Sequence, residues 1–445
     1  MKINLPQEVN FIIEELNKSG FEAFAVGGCV RDSIIGRVPS DWDITTSALP
    51  ENIISIFPHT VPTGLQHGTV TVIINKNNYE VTTYRIDGKY TDNRHPDEVL
   101  FTKNLSEDLS RRDFTINALA YNNEAGLVDL FNGQDCLKNK MVKTVGDAND
   151  RFNEDALRMI RAIRFACQLD FSIDKETFEA IFKNHKLIEN VSIERIRDEF
   201  SKILVSNNPD AGIENLRITG LLKYFLPEAI DMVGFDQKNP HHDKDIYTHT
   251  LQVIKNAEPV LITRLAALFH DIGKPASFTM DEKGIGHFYG HENSGAEICE
   301  TVLKRMKFDN YTIKTVCLLV SNHMTMFYKL KESGVKKLIN KMGKENMGTL
   351  FNLQTADIKS SAPPFNFSPI DYLRNTTDEV LKKALPICLK DLKINGADLI
   401  RLGFKPGKEL GDALNAILDM VLEKPDLNDK AKLIEIATKL LTSKS

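Results

Sequence analysis

The chain has 445 residues, which is too long for one ordinary core and predicts two to four domains. Hydrophobic residues make up 42% of it and charged residues 26%, the composition of a soluble globular protein. No apolar run approaches the roughly 18 residues that span a bilayer, and the first residues lack a signal-peptide core. We therefore expect a cytoplasmic protein with no membrane segment.

Charge and cysteine content narrow the class of protein further. The formal net charge of −5 argues against a protein that coats nucleic acid, although a local basic groove remains open. The six cysteines are scattered and form no C-x-x-C pair, so neither a disulfide framework nor a cysteine zinc site is indicated.

Strands are predicted only in the first third of the chain. An amphipathic helix over residues 5–18 precedes four strand-like runs, at Phe21–Val26, Asp41–Thr45, Thr69–Ile74 and Tyr79–Tyr84. From Arg151 onward the periodicity is helical, beginning with 151–168, 175–187, 193–205 and 209–220. This segregation predicts a multidomain protein in which a small α/β head with a mixed or antiparallel sheet is followed by a long helical body.

Clusters of Gly, Asn, Asp, Ser and Pro near 147–150, 236–246 and 361–369 predict the domain boundaries. The expected divisions are a head over 1–148, a helical neck and body over 149–236, a third domain over 237–362 and a helical tail over 363–445.

A Gly-Gly turn follows the first predicted strand and opens a helix. Gly27 and Gly28 would let backbone N–H groups approach a phosphate, and Arg31 adds a cation nearby. By itself such a turn is weak evidence for a phosphate site.

Two aspartates lie a short distance downstream of this turn. Asp41 and Asp43 are two residues apart in a predicted strand, so their carboxylates would face one side, roughly 6.6 Å apart along the strand. Paired carboxylates can hold Mg²⁺ ions that activate an attacking hydroxyl and neutralise leaving pyrophosphate. The alternative is a solvated turn with N-capping aspartates.

The order Gly27-Gly28-x-x-Arg31-Asp32 and then Asp41-x-Asp43 resembles the signature of polymerase-β-type nucleotidyltransferases. More narrowly it resembles the class II tRNA nucleotidyltransferases and the bacterial poly(A) polymerases. The similarity continues through residues 111–120, 129–133, 151–166 and 193–199. The resemblance implies that nucleotide is bound by the residues Gly28, Arg31, Arg112, Asp113, Asn117, Asp155, Arg158, Arg161 and Arg164.

In the resembled family, Asp155 and Arg158 form an amino-acid template for the incoming base, and their chemistry suits that role. On a helix they would be neighbours, with Asp155 accepting from an exocyclic amino group and Arg158 donating to the adjacent ring nitrogen. Cytosine and adenine both present that edge, whereas uracil and guanine present the reverse. Hydrogen-bonded edges of this kind discriminate by a factor of order 10⁴. The alternative is a solvated helix face with ion pairs.

Two stretches bear on which member of the family this is. The run from Tyr84 to Val99 resembles the flexible loop that full CCA-adding members carry and CC-adding members lack. The stretch Thr63–Thr69 lacks the Gly-Arg-Arg-Phe type sequence of poly(A) polymerases. Both favour CCA addition to the tRNA 3′ end from CTP and ATP, but a member that adds only the final A would look similar.

A second constellation resembles the H…HD…D pattern of HD phosphohydrolases. The resemblance implies that one metal is held by His249, His270, Asp271 and Asp357, and that a second could be held by His291 and His323. Imidazole with carboxylate suits Mn²⁺, Fe²⁺, Ni²⁺ or, less well, Mg²⁺. The alternative is an HD fold that keeps the ligands but serves RNA binding.

The sequence therefore predicts a CTP- and ATP-dependent tRNA nucleotidyltransferase with Mg²⁺ at the head, a fused HD phosphohydrolase domain and no membrane partner. A glycine-rich turn near Gly403 and Gly407, beside Lys405 and Lys408, could hold an RNA phosphate in the tail. Three alternatives stay open: a poly(A) or A-only polymerase, a chain whose main activity is the HD phosphodiesterase or phosphatase, and a non-catalytic RNA-binding protein.

Overall fold

The computed structural model describes residues 2–88, 99–238, 244–383 and 385–442. The chain divides into two compact units, Met1–Ile230 and Asp231–Ser445. The division falls a few residues before the boundary that the sequence predicts near 236, and it unites the predicted head with the predicted neck.

A seven-stranded mixed sheet forms the centre of the head, in the order β3-β4-β5-β2-β1-β8-β9. Strands β2 and β5 run parallel, and the other neighbouring pairs in this sheet run antiparallel. Two small pairs, β6 with β7 and β10 with β11, lie outside it. The strands are β1 (Ala23–Val26), β2 (Asp43–Thr46), β3 (Thr60–Gly64), β4 (Thr69–Ile74), β5 (Asn77–Thr83), β6 (Arg85–Asp87), β7 (Val99–Phe101), β8 (Leu119–Asn122), β9 (Gly126–Asp129), β10 (Met141–Val142) and β11 (Ser172–Ile173).

The head helices cover this sheet with apolar residues at helical spacing. The first helix buries Val9, Ile12, Ile13 and Leu16, the stripe that the sequence predicts, and packs against β1. Phe24 and Val26 alternate along β1 and belong to a buried cluster that includes Leu109. The helices are α1 (Gln7–Lys18), α2 (Gly28–Ile34), α3 (Pro50–Ile56), α4 (Leu105–Ser110) and α5 (Gly133–Lys138).

The neck consists of five helices, and the central one, α7, is buried on almost every side. The helix predicted over 151–168 is in fact two helices that are interrupted at Asp155 and Ala156. Helix α7 packs against α9 and α10, and α6 packs against α8. The neck helices are α6 (Ala148–Glu154), α7 (Leu157–Leu169), α8 (Lys175–Asn184), α9 (Ile193–Leu204) and α10 (Pro209–Ile218).

Among the described residues of the second unit, the strands are limited to one small hairpin of β12 (Thr279–Met280) and β13 (Gly286–His287), and the other elements are helices. Its last helices enclose a separate apolar core around Leu399, Ile417, Val421 and Leu433. None of the described helices in either unit is long and apolar enough to cross a membrane. The helices of this unit are α11 (Ile246–Asn256), α12 (Leu261–Phe269), α13 (Lys274–Ser277), α14 (His291–Arg305), α15 (Asn310–Val320), α16 (Glu332–Met342), α17 (Met347–Ser360), α18 (Ser368–Lys382), α19 (Gly396–Arg401), α20 (Lys408–Glu423) and α21 (Lys430–Thr442).

Candidate active site and candidate metal centre

The Gly-Gly turn lies where the sequence predicts it, between β1 and α2. Gly27 adopts a φ of 84°, a left-handed conformation that glycine accepts at little cost. A Cβ atom at Gly27 would also lie 3.2 Å from Nη1 of Arg112. The glycine therefore allows the backbone and an arginine of a later motif to approach each other closely.

The sequence argument placed both aspartates of the head in one strand, and the structure shows that this is wrong. Strand β2 begins at Asp43, whereas Asp41 precedes it in irregular backbone. Their shared orientation therefore does not follow from strand alternation. Glu80 lies directly beside Asp43 on the parallel strand β5.

The charge of this acidic cluster is only partly balanced. Desolvation, together with the negative charges of Asp41 and Glu80, raises the pKa of Asp43 to about 6, against the opposing effect of Arg112. Three neighbouring carboxylates of this kind are a donor set that suits a hard divalent cation.

A continuous hydrogen-bonded chain links the Gly-Gly turn to the neck. Arg31 Nη1 donates to Asn117 Oδ1 at 2.6 Å, and Asn117 Nδ2 donates to Asp113 Oδ1 at 3.0 Å. The other Asp113 oxygen accepts from Arg161 Nε at 2.9 Å and from Nη2 at 2.6 Å. Four residues that the sequence singled out in three separate motifs thus form one buried network.

The Asp113 carboxylate carries a firm negative charge in this network. Burial alone would raise its pKa, but the Arg161 guanidinium and the Asn117 amide outweigh burial and lower the pKa to about 2. Asp113 therefore stays ionised at neutral pH and fixes the position of Arg161.

Sequence reasoning missed Asp108, which organises the two arginines beside it. Its fully buried carboxylate lies 2.7 Å from Arg111 Nη2 and 3.3 Å from Arg112 Nη2, and it accepts a hydrogen bond from the Thr45 hydroxyl on β2 at 3.2 Å. The spacing i, i+3 and i, i+4 on a helix was the available signal. Asp108 thus joins the strand that starts at Asp43 to the arginine motif.

The predicted base-reading pair differs most from the sequence argument. Asp155 lies in the break between α6 and α7 rather than on a helix face, and its Oδ1 accepts from the backbone N–H of Leu157 at 3.0 Å. The helix breaks here because that side-chain bond serves the first turn of α7. Arg158 bonds to the Glu154 carboxylate and, through Nη2, to the carbonyl of Arg111 at 3.1 Å.

The ring of Phe165 gathers three guanidinium groups. The Cζ atoms of Arg31, Arg161 and Arg164 lie 5.1, 5.5 and 4.0 Å from the ring centroid. Burial lowers the pKa of Arg164 to about 10, even though Glu199 Oε2 lies 2.7 Å from its Nε and opposes that effect. Crowded cations of this kind favour binding of a polyanion such as a triphosphate.

The predicted flexible loop falls largely outside the described residues. Tyr84, the first residue of the predicted loop, is buried. Strands β6 and β7, at the two ends of the predicted loop, pair with each other. Tyr90, Asp92, Arg94 and Pro96 lie outside the part of the chain that the structure describes.

In the second unit four histidine rings are oriented by backbone carbonyls. The Nδ1 atoms of His270, His291 and His323 lie 2.8, 2.8 and 2.7 Å from the carbonyl oxygens of the residues three positions earlier in the chain. His249 Nδ1 lies 3.4 Å from the Ser360 carbonyl. Because a carbonyl only accepts, each Nδ1 carries the hydrogen and each neutral ring presents an Nε2 lone pair.

Those Nε2 atoms converge on Asp271. One group consists of His249, His270 and Asp271, and a second group consists of Asp271, His291 and His323. Asp271 Oδ2 lies 3.2 Å from His270 Nε2, and Asp271 Oδ1 lies 3.4 Å from His291 Nε2. The carboxylate therefore faces one group with each oxygen.

The Nε2 atoms of this cluster face one another in two pairs, an arrangement that could hold cations. His249 and His270 Nε2 are 3.4 Å apart, and His291 and His323 Nε2 are 3.3 Å apart. When both rings of a pair are uncharged and carry their hydrogen on Nδ1, neither Nε2 can donate to the other. Burial and the neighbouring imidazoles lower the pKa of His323 to about 3, so a proton does not relieve this contact at neutral pH.

Two further groups complete the centre. Asp357 Oδ1 lies 3.1 Å from His249 Nε2 and 3.9 Å from His270 Nε2, which brings the predicted fourth ligand to the first group. Lys274 Nζ lies 2.8 Å from Asp271 Oδ2 and donates to Gln237 Oε1 at 2.8 Å. The structure thus brings together all six residues that the sequence assigned to this centre.

The chain is similar to known proteins over nearly its whole length. The chain is 35% identical over 451 residues to the CCA-adding enzyme of Ligilactobacillus salivarius (strain UCC118), an alignment that covers 99% of each protein. It belongs to the CCA-adding enzyme family. It is also 35% identical over 430 residues to the CCA-adding enzyme of Enterococcus faecalis (strain ATCC 700802 / V583), covering 96% of this chain and 94% of that one. The predicted family and nucleotidyltransferase class are thereby confirmed.

Family models and solved structures agree with this membership. Residues 23–143 match the poly A polymerase head domain, 170–232 the "Probable RNA and SrmB-binding site of polymerase A", and 293–437 the tRNA nucleotidyltransferase domain 2. The Bacillus stearothermophilus CCA-adding enzyme in complex with CTP aligns with a TM-score of 0.74 and 29% identity over 98% of both chains. The Thermotoga maritima CCA-adding enzyme complexed with tRNA shares the fold, with a TM-score of 0.59 and 19% identity over 99% of this chain and 100% of that chain.

Proposed function

We propose that this CCA-adding enzyme family member builds and repairs the 3′-terminal CCA of tRNA, using CTP and ATP in the cytoplasm and releasing pyrophosphate. The observation that carries the proposal is the hydrogen-bonded chain from the Gly-Gly turn through Asn117 and Asp113 to Arg161. It joins the helix that follows the Gly-Gly turn, in the head, to Arg161 of the neck within one compact unit. A single nucleoside triphosphate could therefore contact both.

Asp41 and Asp43 are the residues that would hold Mg²⁺, and the raised pKa of Asp43 fits a cluster that lacks balancing positive charge. Bound Mg²⁺ supplies charge neutralisation for an attacking hydroxyl and a leaving pyrophosphate. In the proposed reaction the tRNA 3′-oxygen bonds to the α-phosphorus of CTP or ATP, and the bond from that phosphorus to the β-phosphate oxygen breaks. Gly28 and Arg31 would hold the triphosphate, and Arg112 and Asn117 would hold the sugar end.

Base choice is assigned to Asp155 and Arg158. A carboxylate accepts from the amino group of cytosine or adenine but repels the carbonyl of uracil or guanine, and a guanidinium donates to the neighbouring ring nitrogen. Arg158 now bonds to Glu154 and to the Arg111 carbonyl, so it would share or exchange those partners on binding a base. Arg161 and Arg164 would face phosphate or the base.

Extension of tRNA transcripts tests the proposal against the other transferases. Transcripts that end before the CCA, after C or after CC are supplied with CTP, ATP, UTP or GTP singly. CCA addition requires C on the first two and A on the third. Repeated A addition would indicate a poly(A) polymerase, and A on CC alone would indicate an A-adding enzyme. Loss of all extension in Asp41→Ala would exclude a non-catalytic RNA-binding protein.

We further propose a second activity, a metal-dependent phosphohydrolase, at the centre around Asp271. Four converging imidazole lone pairs and two ionised carboxylates fit one or two ions of Mn²⁺, Ni²⁺ or Fe²⁺, with Mg²⁺ less well matched. His249, His270, Asp271 and Asp357 would hold the first ion, and Asp271, His291 and His323 the second. Such an ion activates water against a phosphoester.

Paired variants separate the two activities. In Asp41→Ala the hydrolysis of a generic phosphodiester with Mn²⁺ or Ni²⁺ is expected to persist while tRNA extension is lost. His270→Ala is expected to show the opposite. If hydrolysis survives in His270→Ala, the metal centre does not carry it; if extension also fails there, the two activities do not belong to separate units.

The proposed domains follow the predicted limits, with a catalytic head over 1–148, a neck and body over 149–236, an HD domain over 237–362 and a tRNA-binding tail over 363–445. The separate apolar core around Leu399 and Ile417 supports an independent tail. In the tail, Gly407 adopts a φ of 115° directly ahead of Lys408, and we propose that the backbone of this turn and the lysine meet an RNA phosphate.

A further inference from the structure

Arg195, on α9, forms an ion pair with one member of the proposed base-reading pair. Its Nη2 lies 2.8 Å from Asp155 Oδ2, and its Nη1 donates to Asp155 Oδ1 at 3.4 Å. The two side chains are 28% and 17% exposed, so water screens the contact only in part. The guanidinium of Arg195 therefore contacts both oxygens of the Asp155 carboxylate through its two terminal nitrogens.

Helix α9 holds the reading segment at two points, and the charges at those points are opposite. Arg195 meets Asp155, and Glu199, one helical turn further on, meets Arg164 with Nε and Oε2 2.7 Å apart. Residues at i and i+4 share a helix face, so both contacts come from one side of α9. The second contact lies within a continuous helix, which would keep its direction without that contact.

Asp155 does not lie within a continuous helix that would fix its direction, because it occupies the break between α6 and α7. Two contacts hold its carboxylate, the Leu157 N–H on Oδ1 at 3.0 Å and the Arg195 fork. Each carboxylate oxygen accepts about two hydrogen bonds. With Oδ1 occupied by Leu157 and by Arg195 Nη1, the acceptor position left open lies on Oδ2, in a direction that Arg195 fixes.

We propose that Arg195 is a positioning residue that sets the base specificity of the enzyme. Through this two-point contact it directs the open acceptor position of Asp155 towards the amino group of cytosine or adenine. This inference rests on the proposed role of Asp155. Without Arg195 the Asp155 carboxylate can rotate about its side-chain bonds, so that its open acceptor position no longer has a fixed direction towards the base.

The test measures kcat and KM for each of the four nucleoside triphosphates with the full chain. Arg195→Gln is expected to lower the preference for CTP over UTP and for ATP over GTP by about tenfold or more, because a hydrogen-bonded edge loses its orientation. Arg195→Lys keeps the charge but not the fork, and an intermediate preference is expected. The matched control is Arg197→Gln, two residues along α9, where the guanidinium pairs with neighbouring Asp198.

A uniform fall of kcat/KM for all four nucleotides, with the preference intact, would make Arg195 structural and overturn the proposal. Unchanged kinetics would do the same. If Arg195→Gln does not fold, Arg195→Lys carries the test, and wild-type preference in that variant overturns the proposal. Asp155→Asn separates failure of the proposed role of Asp155 from failure of the inference about Arg195. If Asp155→Asn leaves the base preference intact, the proposed role of Asp155 fails. If Asp155→Asn loses the preference and the Arg195 variants keep it, only the inference about Arg195 fails.

Discussion

The Asp113 carboxylate of the head accepts two hydrogen bonds from the Arg161 guanidinium of the neck, at 2.9 and 2.6 Å through one oxygen. Its other oxygen serves Asn117 at 3.0 Å. Because both groups are charged and largely shielded from water, this pair positions one part of the first unit against the other. It also gives the unit a measurable dependence on pH.

Asp113 is expected to stabilise the first unit above about pH 4. Its folded pKa is about 2, below the ordinary value of 3.8, so its contribution is fully present above the unfolded pKa and is lost as the pH falls towards 2. The shift corresponds to about 2 kcal/mol. Urea unfolding followed by the fluorescence of Trp42, the single tryptophan, should show Asp113→Asn less stable than wild type at pH 7 and the gap narrowing below pH 4. A gap of equal size at pH 3 and pH 7 would assign the stability to another group.

Metal stoichiometry should distinguish the two ligand groups around Asp271. In protein that carries Asp41→Ala and Asp43→Ala, so that the head binds no ion, we expect uptake of two Mn²⁺ or Ni²⁺ ions per chain, of one after His323→Ala is added, and of none after Asp271→Ala is added, because Asp271 faces both groups. Elemental analysis after gel filtration, with titration calorimetry, measures this directly. His59→Ala, a histidine in the first unit, is the matched control and should retain two. One ion retained in Asp271→Ala would show that the groups do not share that carboxylate.

Gly273 allows two backbones to meet beside this centre. A Cβ there would lie 2.3 Å from the carbonyl oxygen of His291 and 2.5 Å from the amide nitrogen of Gly295. Gly273→Ala is therefore expected to push α14 away, to cost about 2 kcal/mol or more, and to weaken the second metal group. Thermal unfolding with and without Ni²⁺ should show a lower Tm and a smaller metal-induced rise. Gly348→Ala, on α17 with open space around it, serves as control; an equal effect there would remove the steric explanation.

Two helical glycines should respond to alanine with opposite signs. At Gly212 in α10 a Cβ would meet Ile203 Cγ2 at 2.4 Å and Cys167 Sγ at 2.8 Å, so Gly212→Ala is expected to destabilise the first unit by about 1–3 kcal/mol. Gly411 in α20 has nothing within 4 Å, and Gly411→Ala should stabilise its helix by up to about 1 kcal/mol. Chemical denaturation followed by circular dichroism gives both values. Stabilisation by Gly212→Ala would show that α9 and α10 can separate at little cost.

Much of the architecture could be predicted because local pattern and tertiary contact agree. The buried stripe of α1 and strand β4 lie where periodicity indicates, since each buries the apolar face that its sequence presents. Strand β3 was not predicted, because its residues Thr60–Gly64 are mostly exposed at the sheet edge and carry no alternating apolar signal.

The candidate sites could be predicted as residues but not as contacts. The break at Asp155 has no Gly or Pro to announce it, and it arises from the bond of that side chain to Leu157 and from its ion pair with Arg195, 40 residues away. In the second unit the histidines could be chosen from their resemblance to a known pattern. Asp271 faces both groups because of the way four helices pack together. The spacing of residues in the sequence does not reveal that packing.

The carbonyls that orient His270, His291 and His323 each lie three residues earlier in the chain. Local turns therefore set the orientation of these rings, and no bound ion is needed to orient them. Unlike a zinc finger, which collapses when its zinc is chelated, the second unit should keep its shape when stripped. An ion bound at the proposed centre would then exchange without unfolding the protein, and the metals available in the cell would determine which ion it holds.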